Sequence, residues 1–148
     1  MEAKVKEVVS TLLQFMKISG EIKVHTEDDI IFAEVKSDDM ALLIGKKGRN
    51  LNALQYITNI IINKGSEVKR RVFIDTEGYR EKRVSNLRAL AVETADRVKQ
   101  AGKSFSLNPM SPSDRKIIHA ALKDDGQIIT ASEGEGRERR VVISLKTA

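Results

Sequence analysis

Gly45-Lys46-Lys47-Gly48, followed at once by Arg49, sets three cations around two glycines where one apolar run, "LLI", stops and another begins. Two glycines with two spacers let the backbone turn tightly and remove side chains that would hold a ligand away. A helix starting just after such a turn offers its free N–H groups and the positive end of its dipole there. The lysines add charge to that anion site, so the stretch suits the phosphates of a nucleic-acid backbone, with apolar walls from neighbouring elements to accept bases. A P-loop is excluded, because no GxxxxGK[ST] surrounds the glycines. A plain helix–turn–helix with solvated lysines is the alternative.

A second constellation lies in "SPSDRKIIHAAL", where Arg115 and His119 stand four apart and so share one face of a helix. An arginine fork beside an imidazole suits a phosphate group. The bland alternative is a surface arginine and a histidine that satisfies a backbone carbonyl. Ser111 is placed to cap this helix, Pro112 fits its first turn, and Asp114 completes a capping box. Arg137, Arg139 and Arg140, at the glycine-rich hairpin around "EGEGRE", would extend a phosphate track from Arg115, with Arg80 and Arg83 joining from a preceding helix.

The elements that must carry these residues follow from hydrophobic periodicity. Val5, Val8, Val9, Leu12, Leu13 and Met16 form one helical stripe. "EIKVHT" and "IIFAEV" read as a β-hairpin joined by "EDD". "SDDMALLIG" opens a short helix with Ser37 or Asp38 as its cap. "NLNALQYITNIIINK" places Leu51, Leu54, Ile57 and Ile61 on the buried side of another helix, and "RRVFIDT" is a strand. From "GYREKRVSNLRALAVETADRVKQAG" comes a long helix with Val84, Leu87, Ala91 and Val98 inward and Gly102 as its stop. "KSFSL" is a short strand or an extended link, and "QIITAS" and "RRVVISL" are strands of a hairpin. The fold class is α+β, in two domains, residues 1–76 and 77–148.

Composition limits the chemistry. The chain has 148 residues, a net charge of +5 and no cysteine, so disulfides and thiolate metal sites are excluded and a reducing cytoplasm is the expected setting. Only His25 and His119 offer imidazole, which leaves no histidine-rich metal centre. No cofactor, metal or catalytic residue is expected. No apolar run approaches the roughly 18 residues that would span a bilayer, and the charged start is unlike a signal peptide. With 4% aromatic residues, base stacking is sparse and affinity should rest on phosphates.

"LIGKKGRNL" resembles the KH-domain signature, with Leu43, Ile44, Gly45, Gly48 and Leu51 at its apolar and glycine positions. The element order around it matches the type II KH topology, αββααβ. The resemblance implies that Gly45, Lys46, Lys47 and Gly48 clamp about four backbone nucleotides of a single strand. Arg49 would lie beside them, with Ile44 and Leu51 in the core. "NPMSPSDRKIIHAAL", followed by "ITASEGEGRERRVVISL", is similar to the small α/β Arg-x-x-x-His domain, αβαββ, that follows the KH domain in bacterial Jag (SpoIIIJ-associated) proteins.

That family implies binding of single-stranded RNA, or single-stranded DNA, a role as RNA chaperone or post-transcriptional regulator, and a small single-KH partner protein. It also implies a link to cell elongation and envelope homeostasis. Many members carry an additional N-terminal Jag domain and a charged linker; this chain has neither and is expected to be a short natural or trimmed form. Two other readings stay open. One is a scaffold that docks another KH protein, and the other a ribonuclease using His119 as general base beside Asp114 or Arg115.

Overall fold

Val5, Val9 and Leu13 recur every fourth residue and are buried together on helix α1 (Glu2–Phe15). A computed structural model describes residues 1–147. The chain divides into two units, Met1–Arg80 and a second starting at Glu81, each with its own apolar core. Among the described residues no helix is long and apolar enough to cross a membrane.

In the first unit β1 (Glu21–Glu27) and β2 (Ile30–Lys36) form the expected antiparallel hairpin. Asp28 and Asp29 turn its tip with positive φ, a conformation that short polar side chains tolerate. Helix α2 (Met40–Ile44) leads through the glycines into α3 (Arg49–Asn63), and β3 (Arg71–Asp75) then joins β2 in parallel. Strand alternation buries Ile31, Ala33 and Val35 of β2 with Val72 and Ile74 of β3 against the helices. The order is αββααβ. Burying each of these valines and isoleucines contributes about 1.5–3 kcal/mol.

Two local expectations are corrected. Helix α2 is capped at Asp39, not at Ser37 or Asp38; the Ser37 hydroxyl accepts from the Asp39 N–H at 3.1 Å and donates to Ser19 O at 2.6 Å. On α3 the buried row is Leu51, Leu54, Thr58 and Ile62, while Ile57 and Ile61 remain 42% and 38% exposed.

The cause of that rotation is a row of amides. Asn59 and Asn63 each pair with the backbone of alternate residues at β3, donating to Val72 O and Arg70 O and accepting from the same residues' N–H groups at 2.7–2.9 Å. Gln55 accepts from the Ile74 N–H at 2.9 Å. Three amides spaced four apart thus stand in for a neighbouring strand along β3. Each bond contributes about 0.5–1.5 kcal/mol net, and an unpaired buried backbone group would cost more. Apolar residues lie on several sides of α3, so periodicity alone could not choose which row faces in; the amides do.

Helix α4 (Tyr79–Ala101) begins at the end of the first unit, and from Glu81 onward, in the second, it buries Leu87, Ala91, Thr94, Ala95 and Val98, with Val84 half-buried. The Gly102 N–H closes on Val98 O at the helix end. A two-residue strand, β4 (Phe105–Ser106), precedes α5 (Pro112–Leu122), β5 (Ile128–Glu133) and β6 (Arg140–Leu145). All pairings are antiparallel, in the order β4-β6-β5. Ser111 caps α5 by accepting from the Asp114 N–H at 3.2 Å, with Pro112 at the first turn. The capping box is not closed as expected, because the Asp114 carboxylate binds Arg83 at 2.9 Å.

Candidate nucleic-acid interface

The glycine loop joins the last turn of α2 to the first of α3. Gly45 (φ 70°), Lys47 (φ 57°) and Gly48 (φ 79°) all occupy positive φ, so the path reverses within four residues. Each glycine also makes room for a side chain of the protein. A Cβ on Gly45 would stand 2.6 Å from Asn50 Cγ, and one on Gly48 would stand 2.9 Å from the Tyr79 ring. Asn50 spans the loop by donating to Leu42 O at 2.7 Å. The expected role of the glycines, admitting a ligand, is therefore joined by another: they admit the two side chains that fix the turn.

The loop's amides are also more occupied than the sequence suggested. Gly45 N–H donates to Ala41 O, Gly48 N–H to Gly45 O at 3.3 Å, and Arg49 N–H to Lys46 O. Gly48 is buried, whereas the side chains of Lys46, Lys47 and Arg49 are exposed. Positive charge at this site thus comes from side chains projecting from a turn that is tied down from within. No side chain caps the start of α3, so its dipole adds to that charge. Leu51 is fully buried and Ile44 half-buried, in keeping with core roles.

On α5, Arg115 and His119 do share a face, and β5 meets them. Thr130 and Ser132, two apart on the strand, turn their hydroxyls to the helix. His119 Nδ1 lies 2.7 Å from Thr130 Oγ1, and Nε2 lies 2.9 Å from Ser132 Oγ. Arg115 Nη1 donates to the same Ser132 hydroxyl, and its Nε to Met110 O, both at 3.2 Å. Burial, and then the Arg115 cation, hold the imidazole below its ordinary pKa and favour its neutral form. The histidine is thus satisfied by strand hydroxyls and not by a carbonyl. Arg115 Nη2 donates to no group among the described residues, which leaves one edge of the fork for a ligand.

The remaining arginines divide. Arg139 adjoins Arg115 through Met110, whose N–H donates to Arg139 O at 3.2 Å; its own Nη1 holds the turn by donating to Gly134 O. Arg137 is exposed on that turn. Arg140 pairs in register with Glu133, and strand alternation puts both on the sheet face opposite Ser132 and Val141. Arg80 and Arg83 do not extend the track. Arg80 donates to Ile74 O, Asn52 and Gln55 at 2.6–3.0 Å, and Arg83 is committed to Asp114. Sequence reasoning missed Asn50, Tyr79, Thr130 and Ser132. Only the alternation of Thr130 and Ser132 opposite a helix bearing Arg and His offered a signal.

Fold and site together define a KH module followed by an Arg-x-x-x-His module. Residues 2–74 match the family described as KhpA/KhpB, KH domain, and residues 85–145 match the Arg-x-x-x-His (R-three-H) domain. RNA-binding protein KhpB of Clostridium symbiosum is 42% identical over 99% of this chain and 67% of its own length. The protein of the same name from Bacillus subtilis is 37% identical over 95% of this chain and 69% of its own length. That from Lactiplantibacillus plantarum is 34% identical, with 98% and 46% covered. The chain belongs to the KhpB family of Jag-type proteins.

Proposed function

We propose that the chain binds single-stranded RNA without catalysis, as an RNA chaperone or post-transcriptional regulator. One backbone segment is held at Gly45–Gly48 with Arg49, and another at the Arg115/His119 face with Arg137 and Arg139. The observation that carries this is the loop itself: Lys46, Lys47 and Arg49 stand exposed on a turn locked by Asn50 and Tyr79. A charged surface held rigid loses little entropy when it engages phosphates. The relatives' name, RNA-binding protein, points the same way. The cysteine-free composition supports a cytoplasmic setting, and the family resemblance supports a link to cell elongation and the envelope.

The ribonuclease reading is disfavoured by geometry. Both ring nitrogens of His119 are engaged by hydroxyls, and the Asp114 carboxylate is taken by Arg83. A small single-KH partner has separate support. Tyr56, Ile57, Ile60 and Ile61 leave an apolar face on α3 open to solvent, larger than isolated surface residues require.

Lys46→Asp/Lys47→Asp tests the clamp. It should weaken binding of an unstructured RNA at moderate salt by about 100-fold or more, since two cations become two anions at the phosphate track. The fold should be retained, because neither side chain is buried. Parent-like affinity in a titration would reject the clamp.

A further inference from the structure

Helix α5 has a second side that the site above does not use. Arg115 and His119 face β5, while Ile117, Ala120 and Ala121 line a different side, beside Arg88 of α4, with Lys116 at its outer edge. The two alanines are too short to fill the space between the helices. A groove of about 260 Å³ remains, floored by Ile117, Ala120 and Ala121 and rimmed by Arg88 and Lys116.

Its charge is what singles it out. Among the arginines of α4, Arg80, Arg83 and Arg97 each have a partner within the protein; Arg88 has none among the described residues. Lys116 has none either, and no carboxylate lines the groove. Two unneutralised cations over an apolar floor match a ligand with a flat apolar body and flanking negative charge. An acidic peptide would meet the cations but leave the floor uncovered. A guanidinium such as that of Arg88 can also lie on the plane of a base.

We propose that this groove seats one unpaired nucleobase of the bound strand, with Arg88 and Lys116 on the phosphates beside it. The proposal rests on the RNA-binding reading and adds a base-accepting subsite to a protein whose aromatic residues are few.

The test uses the full chain and a fluorescently labelled, unstructured oligoribonucleotide carrying 4-thiouridine. Ala120→Phe fills the groove from an exposed position. It should weaken binding by at least about fivefold, the low end of what seating a base contributes, with the salt slope unchanged. Arg88→Ala/Lys116→Ala should lower the slope by about 1.4, or about 0.7 for each phosphate left without its cation. Photocrosslinks should map to residues 116–121 in the parent and vanish in Ala120→Phe. Parent-like affinity and slope in both variants, with Arg115→Ala still impaired, would overturn the groove while leaving RNA binding intact. If the parent does not bind the oligonucleotide, both fall.

Discussion

In the glycine loop the cations stand outside and the geometry is fixed beneath them, by Asn50 under Gly45 and Tyr79 against Gly48. On α5 the arrangement is inverted, because Arg115 and His119 are themselves drawn into hydrogen bonds with Ser132, Thr130 and Met110. At Lys46 and Arg49 the first site separates charge from scaffold, so either can be changed alone. In the second, the groups proposed to meet phosphate are also part of the scaffold. Phosphate binding at the loop should therefore depend on charge and turn shape as two independent variables, and at α5 on a single coupled network.

Gly48→Ala should break this contrast most strongly, because it keeps every charge and alters only the turn. The new methyl would meet the Tyr79 ring at 2.9 Å on a backbone already at φ 79°. Destabilisation of about 1–3 kcal/mol is expected, together with a loss of RNA affinity of about tenfold or more as the lysines are re-aimed. Gly65→Ala is the control, since it shares the positive φ but its methyl meets nothing within 4 Å. Thermal melts and RNA titrations on both variants decide the matter. Equal effects from the two would show that the loop's shape depends on backbone freedom alone and not on the Tyr79 contact.

A smaller effect separates the coupled site. Arg115→Ala should weaken RNA binding and reduce the salt slope by about 0.7, the share of one single-strand phosphate. Ser132→Ala removes the hydroxyl that Arg115 and His119 share. If the network is one unit, Ser132→Ala should reproduce much of the affinity loss with all charges present, and the double variant should lose less than the two single losses combined. Additive losses in this cycle would show that Arg115 acts alone.

The same contrast explains what was legible in the sequence. The loop was readable because its determinants are contiguous: glycines, lysines and the following helix lie within a few residues, and the hairpin and Ser111 cap are equally local. The strands of both hairpins and β3 were also readable, since period-two alternation needs no partner to be visible, whereas the two residues of β4 are too few to show it. What failed needed a partner far along the chain. The inward row of α3 was misassigned because Gln55, Asn59 and Asn63 face the backbone of residues 70, 72 and 74, and amides carry no hydrophobic signature. Arg80 and Arg83 looked like free cations because the amides and the carboxylate that hold them lie 25–31 residues away. Tyr79 was invisible as a brace for the same reason.

The smallest effect is the most specific to the α5 network. His119 has a folded-state pKa below its ordinary value of 6.5, from burial first and the Arg115 cation second. The unfolded chain therefore takes up a proton on this residue at higher pH than the folded one. The stability associated with a neutral His119 is fully present above that ordinary value and declines as pH falls through it. RNA binding should run the other way. A phosphate against Arg115 offsets the cation that depresses the imidazole, so binding takes up a proton and affinity rises, by roughly a few-fold, between about pH 7.5 and 5.5. His119→Gln should remove that rise and, because the ring bridges Thr130 and Ser132, also lower affinity at pH 7.5 by no more than Ser132→Ala does. Lys46→Ala, which carries no such coupling, should weaken binding but keep the pH dependence. If His119→Gln retained the rise, the proton would belong elsewhere, and the α5 site would have to be redrawn with the imidazole as a brace for Ser132 and Thr130 only.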